Sequence, residues 1–114
     1  MKKIILVGRS LAHLRPVILA EKPGYDVVHL DYISLLASNQ LTIKEKKADL
    51  LIVDGSALWR TRLTREQIRT RYCSPGAEII AASFSIEKLQ DLKGKDLADR
   101  YVIIPHFAEC IDLL

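Results

Sequence analysis

The chain has 114 residues, 49% of them apolar and 27% charged, with 17 Lys and Arg against 14 Asp and Glu. This is ordinary globular composition with room for one domain, residues 1–114, and a real core. No apolar run is long enough to cross a bilayer, and a formal net charge of +3 is too mild to indicate nucleic acid by itself.

Cys73 and Cys110 are too few for a disulfide framework and read as reduced thiols. Met1-Lys2-Lys3 leads straight into an apolar segment too brief for a signal peptide and without a cleavage site, so the cytoplasm is the expected location. In chain order, residues 3–7 form a short apolar run closed by Gly8 and read as the first strand. Ser10 suits a helix cap over residues 11–22, interrupted by Pro16. Either that helix kinks at the proline, or it starts late with Pro16 in its first turn. Residues 25–30 read as the second strand and residues 32–47 as mostly helical, with a break near Asn39. Leu50, Leu51, Ile52 and Val53 are an unbroken apolar run, the signature of a strand buried on both faces. Asp54 and Gly55 close this third strand, and residues 54–61 are expected to be a loop.

Thr64-Arg65-Glu66-Gln67 fits a capping box, opening a helix to about Tyr72 that Ser74-Pro75-Gly76 stops. Residues 78–82 read as the fourth strand, closed by Ser83. Residues 86–92 read as a short helix broken by Lys93-Gly94-Lys95. Residues 101–104 read as the fifth strand, ended by Pro105, and residues 108–114 supply at most two helical turns. Five apolar strands alternating with helices imply a doubly wound five-stranded parallel sheet in a three-layer α/β/α arrangement. No repeat, linker or low-complexity tract interrupts it. In such a sheet ligands bind at the carboxyl ends of the strands, which is where Asp54 falls.

The strand ends carry a resemblance. The whole chain resembles the CheY-like receiver domain of two-component response regulators, a flavodoxin-like fold with this (βα)5 order. The resemblance implies that Asp54 stands at the phosphoacceptor position. It also implies that Ser83 stands at the Thr or Ser after strand four, Pro105 at the proline after strand five, and Tyr101 at the aromatic switch. It implies further that a pair of acids holding Mg²⁺ belongs at the end of strand one, and a lysine before the proline. Here those places hold Gly8, Arg9 and Ile104. The family's proline-containing loop after the phosphoacceptor is replaced by Ser56-Ala57-Leu58-Trp59, and the closing helix is much shorter. The chain looks like a degenerate, or pseudo-, receiver.

Phosphoryl transfer to a carboxylate is almost entirely charge neutralisation and positioning. Mg²⁺ needs hard oxygen ligands. Gly8 offers no side chain, Arg9 would repel the ion, and Ile104 removes the cation that would meet the phosphoryl oxygens. No metal or other cofactor is expected. Two readings of Arg9 stand open: a fixed counter-ion to Asp54, or a solvent-facing side chain beside a carboxylate that caps the turn. Ser83 and Tyr101 likewise read either as a retained switch pair or as a backbone-bonded serine and a tyrosine packed on the sheet edge.

Arg60, Arg62, Arg65, Arg69 and Arg71 crowd one stretch, and Arg62, Arg65 and Arg69 share a helix face. With no aromatic interleaving for base stacking, a solvated face is favoured over nucleic acid. Trp59 beside these arginines suits a protein contact, or a place in the core. His13, His29 and His106 lack metal-ligand spacing, and no nucleophile–base pattern indicates an enzyme. The reading is a signalling module that binds a protein partner without normal aspartyl phosphorylation. Partly covered Ile111, Leu113 and Leu114 would favour a homodimer. The alternatives are a carrier or enzyme module holding a phosphate or nucleotide in the Gly8-Arg9-Ser10 loop, and nucleic-acid binding through the arginines.

Overall fold

The computed structural model describes residues 2–30, 48–60 and 63–103. Five strands, β1 (Lys2–Val7), β2 (Tyr25–Leu30), β3 (Ala48–Asp54), β4 (Cys73–Ser83) and β5 (Arg100–Ile103), form one sheet. Every pairing is parallel and the order is β2-β1-β3-β4-β5. Four helices are described: α1 (Leu14–Glu21), α2 (Gly55–Arg60), α3 (Arg65–Tyr72) and α4 (Ile86–Lys95). The fold is the flavodoxin-like, CheY-like α/β arrangement.

Period-two alternation of the strands divides the core between the two faces of the sheet. Ile5, Val7, Leu51, Val53, Ile79 and Ala81 point to one side. There they meet Leu58 of α2, Ile68 and Tyr72 of α3, and Leu89 and Leu92 of α4. Ile4, Leu6, Leu50, Ile52, Ile80 and Ala82 point to the other and meet Leu11 together with Leu14 and Ile18 of α1. The unbroken apolar runs of β1 and β3 are thus explained by burial on both faces.

Several boundaries move for identifiable reasons. Residues 9–11 form a single 3₁₀ turn, and α1 starts only at Leu14. Pro16 is its third residue, where a backbone N–H would have no acceptor within the helix, so the proline neither kinks nor breaks it. The loop expected over residues 54–61 is instead helix α2. Its fully buried Leu58 anchors it to the core, although Ala57, Leu58 and Trp59 are consecutive and six residues give no visible period.

The capping box at Thr64 and Gln67 forms as expected, with both reciprocal bonds made. The break expected at Lys93-Gly94-Lys95 does not occur. α4 runs to Lys95 and ends at Asp96, which takes the left-handed conformation at φ 54°. Gly94 sits in open space and costs the helix about 1 kcal/mol relative to alanine. β4 begins at Cys73, earlier than expected, and its register against β3 shifts between Ala48 and Leu50. The helix expected over 32–47, the closing helix over 108–114, and Arg62, Ile104, Pro105, Ile111, Leu113 and Leu114 lie outside the described residues.

Candidate functional site at the carboxyl edge

β3 is the central strand, so its carboxyl end is flanked by the segments that follow β1 and β4. Asp54 is the last residue of β3 and half-buried. Both carboxylate oxygens have partners: the Ser10 hydroxyl donates to Oδ2, and the Ser56 backbone amide donates to Oδ1 at 2.9 Å. The Ser56 hydroxyl in turn accepts from Lys88 Nζ at 2.9 Å.

Gly8 packs directly on this carboxylate. Its φ is +122°, and a Cβ built there would lie under 3.0 Å from Asp54 Cβ, closer than real Cβ atoms approach. The position requires glycine on both counts, conformation and space. Its backbone is fixed from the other side as well: the Gly8 amide donates to the Leu30 carbonyl at 2.9 Å, and His29 Nε2 lies 2.8 Å from the Gly8 carbonyl oxygen.

Arg9 is exposed, and among the described residues it forms no ion pair with Asp54. Of the two readings of Arg9, the counter-ion gives way to the solvent-facing side chain, and the group that reaches Asp54 is Ser10, two residues after Gly8. From sequence Ser10 reads as a helix cap or as part of an anion-holding loop, not as a partner of Asp54, and the 3₁₀ turn is what directs it there. Lys88 was not singled out at all, because an isolated lysine in a helix carries no signal.

The donor set does not suit Mg²⁺. Among the described residues no three His, Cys, Asp or Glu side chains stand together as a metal group. The strand-one end contributes a glycine, an outward guanidinium and a hydroxyl already engaged by Asp54. A phosphate held by the Gly8-Arg9-Ser10 loop would face the same charge, since the Ser10 hydroxyl is occupied by the Asp54 carboxylate.

Ser83 is buried, and its hydroxyl accepts from the Ser85 amide at 3.1 Å. It lies against Gly55, where an added Cβ would stand 3.1 Å from Ser83 Cβ. Tyr101 is partly buried; its hydroxyl accepts from the Ala98 amide at 3.1 Å and donates to the Leu92 carbonyl at 3.4 Å. No hydrogen bond joins Ser83 to Tyr101 or to Asp54 among the described residues.

Trp59 is 43% exposed, with Lys95 Nζ 3.9 Å from its ring centroid. Two of the arginines are committed to structure. Arg69 donates to the Ala77 carbonyl and, at 2.7 Å, to Asp99 Oδ1. Arg65 lies 3.1 Å from Asp96 and 3.7 Å from Asp99. The hydrogen bond to Asp99 pushes the Arg69 guanidinium further above its ordinary range, more than partial burial lowers it. Arg65 and Arg69 are thus each paired with acidic side chains.

The comparisons with solved structures agree with this fold. A response regulator from Burkholderia pseudomallei, solved with a phosphorylated aspartic acid, a calcium ion and citrate, superposes with a TM-score of 0.58 at 18% identity. The match covers 92% of this chain and 61% of that one. The chain has the fold of a response-regulator receiver domain. A response regulator from Thermotoga maritima gives a TM-score of 0.57 at 16% identity, over 92% of this chain and 87% of its own. A protein of unknown function from Methanothermobacter thermautotrophicus gives 0.54 at 12%, over 90% and 77%. No protein-family model matches the chain, and no curated protein matches it by sequence. The chain spans about three-fifths of the Burkholderia protein's length. No helix among the described residues is long and apolar enough to cross a membrane.

Proposed function

We propose that this chain is a pseudo-receiver, a signalling module of the response-regulator type that engages a protein partner and does not undergo normal Mg²⁺-dependent phosphorylation at Asp54. The observation that carries the reading is the contact between Gly8 and Asp54. The end of β1, which would have to supply metal-binding acids, is packed so closely on the carboxylate that no side chain fits there. The Ser10 and Ser56 bonds then hold both oxygens, and Arg9 points outward.

Phosphorylating a carboxylate brings two anions together, and without a divalent ion between them the attack is opposed by their repulsion. The module works by presenting a surface. By resemblance this is the face of α4, β5 and the short helix expected over 108–114, and on it Tyr101 is held by Ala98 and Leu92. A second copy of the chain is one partner in this reading; light scattering after size exclusion at high concentration shows the dimer or, by finding a strict monomer, removes it. Intact mass after incubation with acetyl phosphate and Mg²⁺ tests the main statement. The expected spectrum is that of the unmodified chain, and a stable phosphoryl adduct on Asp54 overturns it.

A further inference from the structure

α4 turns one stripe of side chains toward α2. Lys88, Leu92 and Lys95 recur at i, i+4 and i+7, one face of a helix. Lys88 Nζ donates to Ser56 Oγ at 2.9 Å, and Lys95 Nζ sits over Trp59 with 3.9 Å to the ring centroid. Between them Leu92 closes on Gly55, where an added Cβ would lie 3.3 Å from Leu92 Cδ1. Ser56 is bound at both ends, its hydroxyl to Lys88 and its amide to Asp54 Oδ1. On the far side of α4 the Leu92 carbonyl accepts from Tyr101, and Lys93 Nζ lies 5.8 Å from the Tyr101 ring centroid. Ser83, whose hydroxyl is taken by Ser85, bonds to neither Asp54 nor Tyr101.

We propose that the Lys88–Leu92–Lys95 stripe couples the Asp54 end of the sheet to Tyr101, and that the two lysine charges keep it closed. The cation over the indole and the ammonium donor to Ser56 are the contacts that depend on charge. Drawing the two ammonium groups away onto an anionic partner surface frees α2 from α4. The Ser56 amide then loosens on Asp54, and α4 shifts under Tyr101. The inference takes its signalling premise from the proposed function. Its test uses neither phosphodonor nor Mg²⁺, so the two fail separately.

The experiment is amide hydrogen exchange by NMR on the full chain for K88M, K95M and the double variant, with K95R as the charge-conserving variant and K2M as control. Trp59 is the only tryptophan, so its emission reports the Lys95 contact directly. The expected result is a changed Trp59 emission in K95M and exchange about fivefold faster at the Ser56 amide in the double variant. Parallel loss of protection is expected at the Ala98 amide, which bonds to Tyr101, with K95R and K2M unchanged. The single variants give the same readouts should the double variant fold poorly. Ser56 protection at the parent level, or loss at Ser56 with none at Ala98, overturns the proposal.

Discussion

The hydroxyl of Ser10 donates to Oδ2 of Asp54, joining two residues 44 apart in sequence across the carboxyl edge of the sheet. A hydroxyl neutralises no charge, so this bond orients the carboxylate without replacing a metal ion. Ser10→Ala leaves one oxygen of a half-buried carboxylate without its protein donor. Urea unfolding should show a loss of about 1.5–3 kcal/mol, the range for hydrogen bonds to charged groups.

Gly8 makes a sharper prediction, because conformation and space both oppose any other residue. Gly8→Asp, the change that would restore an acid at the end of β1, should lower stability by about 2 kcal/mol or more without creating Mg²⁺ affinity. Gly8→Ala should show most of the same loss. Thermal unfolding with and without Mg²⁺ reads out both variants, and an Mg²⁺-dependent rise in the Gly8→Asp midpoint would contradict this account of the site.

Asp99 binds three elements together. Oδ1 accepts from Arg69 of α3, Oδ2 accepts from the Ile79 amide of β4 at 2.8 Å, and its own amide donates to the Ile79 carbonyl at 2.8 Å just before β5. Asp99→Ala strips a backbone donor and a partly buried guanidinium of their acceptor, and should cost about 2–3 kcal/mol in chemical denaturation. Arg65→Ala, whose nearer partner Asp96 is exposed, should cost under about 1 kcal/mol.

These residues also show where sequence reading stopped. The sheet was legible because β1 and β3 are continuous apolar runs and the other strands are bounded by Gly, Pro and Ser. The Thr64 cap was legible because its chemistry is local. α2 was not, since its stability comes from Leu58 reaching the core and Gly55 fitting between Ser83 and Leu92, contacts with residues far away in the chain. At the site, Asp54 was found by its strand-end position, whereas Ser10 and Lys88 depend on how a 3₁₀ turn and α4 are aimed. Arg65 and Arg69 looked like an open basic face because their partners, Asp96 and Asp99, lie about 30 residues on.

Tyr72 gives stability a pH dependence at the alkaline end. It is buried against the sheet, and desolvation pushes its phenol above the ordinary 10.0, more than nearby Arg71 lowers it. A folded-state value above the unfolded one means the native chain holds this proton more tightly. Its contribution is therefore complete below about pH 10 and is lost as pH rises through the folded-state value. Tyr72→Phe should lose less stability than the parent between neutral pH and about pH 11, measured as urea midpoints at each pH.

The central claim is that the pocket beside Asp54 is closed to a divalent ion and a phosphoryl group together. The most direct measurement is an NMR titration of the folded chain with Mg²⁺ and beryllofluoride, following the amides of Gly8, Ser10 and Ser56. No saturable shift is expected at these three amides. Saturable, Mg²⁺-dependent shifts centred on Asp54 would contradict that claim and make the chain a working phosphorylation switch.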